Sequence, residues 1–124
     1  MSIKVTVKEK RPGCFIIAPV GPIDTDTHQA LAEKIDPLVG PYTKAIILDM
    51  AGVDYISSIG LSLIFRVKQA LEGQGSAFVM VRVQPNVQRI FKAVKMIPSS
   101  MFATLQEADA YLDAYLKDVG ENKI

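Results

Sequence analysis

Short apolar runs alternate with helical patterns along this chain, and that alternation constrains the fold more than any other feature. Ala45, Ile46, Ile47 and Leu48 form an apolar run bounded by turn signals, the pattern of a central strand over residues 44–49. Ala77, Phe78, Val79, Met80 and Val81 form a second. Between them, residues 59–72 read as an amphipathic helix. At about 100° per residue, Leu63, Ile64, Val67, Ala70 and Leu71 gather on one arc and are expected to face a sheet. Pro85 suits the first turn of another helix, with Val87, Ile90, Phe91 and Val94 at helical spacing behind it. Strands separated by helices of this length are joined by crossovers and pair in parallel.

The two ends complete the architecture. Ile3, Val5 and Val7 alternate with polar residues and predict a half-buried strand. Lys10, Arg11, Pro12 and Gly13 form a turn, and residues 15–20 return as a more buried strand, closing an antiparallel hairpin. Gly21 and Pro22 end it. Asp24, Thr25 and Asp26 are each suitable caps for the next helix, and Asp26 with Gln29 matches a capping box. Leu31, Ile35 and Leu38 give that helix its apolar face, and Gly40–Pro41 stops it. Past a break at Ile97 and Pro98, Phe102, Ala103 and Thr104 suggest a weak edge strand. Residues 106–118 form a last helix, with Ala108, Tyr111, Leu112, Tyr115 and Val119 at i, i+3, i+4, i+7 and i+11. Residues 120–124 are expected to fray. The reading is an α/β single domain over residues 3–118, with a four- to five-stranded mixed sheet, about four helices and an N-terminal antiparallel hairpin.

Composition excludes several functions. At 124 residues the chain holds one core and not two. Lys and Arg number 14 against 13 acids, which leaves no basic field for nucleic acid or a membrane surface. No apolar stretch approaches the roughly 20 residues of a membrane span. The N-terminus is no signal peptide. Cys14, the one cysteine, sits in an apolar run and reads as a buried thiol, consistent with a reducing, cytoplasmic setting. The one histidine, His28, has no nucleophile to serve. No His/Cys cluster has metal-ligand spacing, and the glycines form neither a P-loop nor a dinucleotide fingerprint. Asp49 and Asp54 read better as a strand end and a loop residue than as a catalytic pair. The expectation is a protein with no catalytic residues, no metal and no cofactor.

The stretch Asp49-Met50-Ala51-Gly52-Val53-Asp54-Tyr55-Ile56-Ser57-Ser58-Ile59-Gly60-Leu61 joins a strand to a helix and brings two serines to the helix N-terminus. Free N–H groups and the helix dipole favour anions there. Local sequence leaves two readings open: a helix cap or a phosphate acceptor. In the following helix, Leu61 and Phe65 fall to one side of the sheet-facing arc, among Ser62, Gln69 and Glu72, and suggest an exposed apolar pair beside the serines.

This stretch resembles the signature of the STAS family, the anti-sigma factor antagonists of bacteria. Gly21-Pro22-Ile23-Asp24, followed by Thr27 and Leu31, is similar to a second family segment. The resemblance spans nearly the whole chain. It implies a STAS-type fold and a protein that binds an anti-sigma factor, a serine kinase of the histidine-kinase-like ATPase type. Binding would release a sigma factor. Aligned on Gly60-Leu61, Ser58 matches the serine that such kinases phosphorylate, so the resemblance implies Ser58 as phosphoacceptor, with a phosphatase to reverse it. Ser57 stands where many members have aspartate, and Ile59 where some have a second serine or threonine. Asp24 is carried over as a carboxylate beside Ser58 that orients its hydroxyl; read alone, it is a helix cap. The implied partner-binding surface is Asp24, Ser57, Ser58, Ile59, Gly60, Leu61 and Phe65. The alternatives are a non-catalytic STAS scaffold in another signalling assembly and a STAS domain that binds a small ligand or nucleotide.

Overall fold

The computed structural model describes residues 2–94, 101–102 and 104–121. Five strands form one sheet in the order β1 (Lys4–Arg11), β2 (Cys14–Val20), β3 (Ala45–Asp49), β4 (Ala77–Val81) and β5 (Met101–Phe102). β1 and β2 are antiparallel, and β2 to β5 run parallel. The helices are α1 (His28–Ile35), α2 (Ser58–Gly73), α3 (Pro85–Ala93) and α4 (Leu105–Glu121). The hairpin turn falls at Pro12–Gly13, where Gly13 adopts φ +82° and a Cβ would lie 2.8 Å from the Tyr42 carbonyl oxygen. Only glycine meets both demands without strain.

β3 and β4 are buried along their whole length, which is why they read as unbroken apolar runs. Alternate side chains divide between two cores. Ile46, Leu48, Phe78 and Met80 point to one face, where Leu31 and Ile35 of α1, Leu63, Ile64, Val67 and Leu71 of α2, and Val87 and Phe91 of α3 cover them. Ala45, Ile47, Val79 and Val81 point to the other, with Cys14, and meet Ala108 and Leu112 of α4. Cys14 is the buried thiol expected.

Several expectations change in detail. Val7 is 40% exposed, while Ile3 and Val5 pack on the core; the edge strand runs past its cover. The first helix does not continue regularly to Leu38. It tightens into a 3-10 turn over Asp36–Leu38, where Pro37 has no N–H to give to an α-helical bond. α4 continues through Glu121, past the expected fraying point. The proposed break at Ile97–Pro98, Ala103, residues 122–124 and the side chains of Tyr115 and Val119 lie outside the described residues.

Candidate functional site

The site forms where the loops after β2 and β3 leave adjacent parallel strands and keep pairing. Gly21 N–H donates to Gly52 O at 2.9 Å, Ile23 N–H to Tyr55 O at 3.0 Å, and Ser57 N–H to Ile23 O at 2.9 Å. Ile23, Met50, Val53 and Ile56 of these loops sit in the core, at most 2% exposed. Their burial turns Asp54, Tyr55, Ser58 and Ile59 outward.

A third loop, between β4 and α3, holds the segment from the other side. Met50 N–H donates to Val81 O at 2.9 Å. Gln84 Nε2 donates to Ala51 O at 2.8 Å, and Asn86 Nδ2 donates to Asp54 O. Arg82 Nε donates to Asp49 Oδ1 at 3.1 Å, and its Nη2 to Asp49 Oδ2. Asp49 is nearly buried, so this two-point contact supplies the counter-charge that a desolvated carboxylate requires. The hydrogen bond to Asp49 raises the guanidinium pKa above its ordinary value. Arg82 holds φ +55°, uncommon for a side chain of its size, while making this contact. Asp49 ends β3 and is held by Arg82, and Asp54 lies in the loop, the positions the sequence suggested.

The two serines are placed differently. Ser57 is the N-cap of α2, in extended backbone, with Oγ accepting from Gly60 N–H at 3.4 Å. Ser58 is the first residue of the helix and is exposed. Among the described residues its hydroxyl makes no hydrogen bond. Of the two readings open in the sequence, the cap belongs to Ser57, and Ser58 is left exposed beside it. Gly60 lets the helix start this close to the loops: a Cβ there would stand 2.7 Å from Ile23 Cγ2 and Ile56 Cγ1, and 2.9 Å from Ile23 O.

Asp24 lies one residue past Ile23, whose carbonyl holds Ser57, yet no hydrogen bond joins Asp24 to Ser58. Its Oδ1 accepts from Asp26 N–H at 2.9 Å and Thr27 N–H at 3.1 Å. Its own N–H donates to Thr27 Oγ1, which donates to Pro22 O at 2.6 Å. Asp24 organises the turn into α1, and the Asp26–Gln29 box does not form. His28 belongs to the same turn, with Nδ1 3.0 Å from Thr25 O.

Leu61 is not the exposed residue expected. It is 7% exposed and joins the core cluster that also holds Leu31 and Ile35 of α1, because α1 packs beside α2 and widens the buried arc. Ala70, expected to face the sheet, is exposed at the opposite margin of that arc, where a single methyl does not reach the strands. Around the start of α2 the exposed apolar side chains are Phe65 at 42%, Ile59 at 39% and Tyr55 at 50%. Ser58, Ser62 and Phe65 stand at i, i+4 and i+7 and share one helix face. Sequence reasoning missed Tyr55 and the tethers from Arg82, Gln84 and Asn86. Pro85 marked the start of α3, but no local signal ties that start to a loop some thirty residues earlier.

Known proteins share this fold. The STAS domain family matches residues 6–108. The chain is 25% identical over 108 residues, covering 87% of it and 92% of the relative, to a putative anti-sigma factor antagonist, BtrV, of Bordetella bronchiseptica. It is 31% identical over 80 residues, or 64% of each chain, to the anti-sigma-F factor antagonist RsfB of Mycobacterium tuberculosis. Its fold is like that of the anti-sigma factor antagonist SpoIIAA in its unphosphorylated form, with a TM-score of 0.78 at 19% identity over 90% of this chain and 97% of that one.

Proposed function

The chain belongs to the STAS domain family, and from that premise we propose that it is a phospho-switched anti-sigma factor antagonist. It is a non-catalytic cytoplasmic binding module whose partner is an anti-sigma factor with serine kinase activity. The docking surface is the exposed start of α2 with its flanking loops: Ser58, Ile59, Ser62 and Phe65, bordered by Tyr55 and the Asp24 turn. Phosphorylation of Ser58 by the partner ends binding, and a phosphatase restores it. The observation that carries this reading is the division of labour between the serines. Ser57 spends its oxygen on the cap, and Ser58 keeps a free, exposed hydroxyl. The likeness to BtrV and RsfB supports the same role.

The switch follows from charge. A phosphate adds about −1.5 to −2 charge. At a helix N-terminus it is tolerated locally, so the fold has no reason to change. At the centre of an interface it must be desolvated or repelled. A penalty of about 2.7 kcal/mol lowers affinity about a hundredfold. Titration calorimetry beside thermal melts tests this. Ser58→Asp is expected to melt like the wild type and to lose at least about tenfold in affinity for the kinase, about 1.4 kcal/mol. Ser58→Ala is expected to bind and to take no label from the kinase, while Ser57→Ala is labelled. Phe65→Ala is expected to weaken binding at little cost in stability. Full labelling of Ser58→Ala would overturn the assignment of the phosphoacceptor. Wild-type affinity of Ser58→Asp would overturn the charge block.

A further inference from the structure

The two faces of the sheet are unequally covered. A helix with its side chains is about 10 Å across and strands are about 4.8 Å apart, so one helix covers about two strands. α1, α2 and α3 share one face. Among the described residues, the other carries only α4, which packs on β4 and β5 and reaches the hairpin at its tip. Past Ile16, which packs at the edge of the core under α4, β1 and β2 are open on that face. Ile16 and Ala18 are half-buried and Val20 is 55% exposed. Their cross-strand partners are Lys8, Thr6 and Lys4, all exposed, and partners across an antiparallel pair share a face. The result is an apolar strip along β2 bordered by lysines of β1. From Ile16 to Val20 it runs about 13 Å, the length of roughly nine helical residues.

α4 shows what this face accepts. It buries Ala108 and Leu112 against the strands, and its Asp109 and Asp113, four residues apart, pair with Lys10 and Arg11 at the end of β1. Lys4 and Lys8 continue the basic row, and neither is ion-paired among the described residues. We propose that this strip docks a second helix, an acidic amphipathic segment of a partner protein. It lies beside α4, with small apolar residues on Ile16, Ala18 and Val20 and carboxylates at i, i+4 facing Lys4 and Lys8. The strip lies on the sheet face opposite α2, with its Val20 end against Gly52 of the loop that leads to Ser58. This goes beyond the Ser58 switch and does not depend on it.

A photo-crosslinking residue in place of exposed Thr6, in the full chain expressed in its source cells, tests the proposal by sequencing of the crosslinked peptide. The expected product is a segment of another protein with acids spaced i, i+3 or i, i+4 beside small apolar residues. Lys4→Glu with Lys8→Glu is expected to cut its yield at least tenfold with circular dichroism and melting unchanged, and reversing the partner's acids to lysine is expected to restore it. Ser58→Asp is expected to leave the yield unchanged. A crosslink to a second copy of this chain, to a lipid or to a segment without that acidic pattern would overturn the proposal. So would no crosslink, or a yield indifferent to the charge reversal.

Discussion

The same strands build two different cores. On the three-helix face β3 and β4 present Ile46, Leu48, Phe78 and Met80; on the α4 face they present Ala45, Ile47, Ala77, Val79 and Val81. Large side chains fill the space beneath three helices and bind them into one unit. Small ones let α4 lie close but give it less area to bury, so ion pairs at its flank, Lys10 with Asp109 and Arg11 with Asp113, contribute to where it sits. The difference teaches that the larger core and the proposed switch surface reside together on the α2 face. The α4 face is the cheaper one to disturb.

Substitutions test this contrast. The largest effect is expected for Ile64→Ala, which empties a 1% exposed position on the buried face of α2 and is expected to cost about 4 kcal/mol by denaturant unfolding. Leu112→Ala, on the α4 face, is expected to cost about 2–3 kcal/mol, near the lower end for such truncations. Equal losses would break the comparison. Gly60→Ala forces a methyl against Ile23 and Ile56 and is expected to cost about 1–3 kcal/mol, read as a lowered melting temperature. Ser57→Ala is expected to lose about 1 kcal/mol with the cap, and Ser58→Ala less, since its hydroxyl caps nothing. The smallest effect is expected for Lys10→Ala, at about 0.5 kcal/mol. Its partly exposed pair with Asp109 is open to screening, so the difference from wild type should shrink in high salt.

Much of this was legible in one dimension. The residues of β4 are those of the second apolar run, and α3 begins at Pro85 as its fixed φ suggests. Such elements are set by neighbours a few residues apart, which any local pattern records. The site was half legible. The serine pair announced a helix start, but which serine caps depends on backbone angles that the Ile23–Ser57 bond imposes from another loop. Leu61 was misplaced because periodicity gives the angle around a helix and not the position of the neighbour that covers it. Asp24 promised a contact with Ser58, but its carboxylate is engaged by Asp26 and Thr27 instead.

By itself, then, the sequence determined the class of fold, the strand-to-helix connection that carries the serines, and the STAS resemblance. Those rest on local periodicity, turn chemistry and a contiguous motif. Tertiary structure alone decided that Ser57 caps while Ser58 is exposed, that Arg82, Gln84 and Asn86 hold the loop, and that, among the described residues, one sheet face carries a single helix. Each of these depends on groups far apart in the chain meeting in space. Burial and hydrogen bonding are properties of that meeting, and no residue carries them alone.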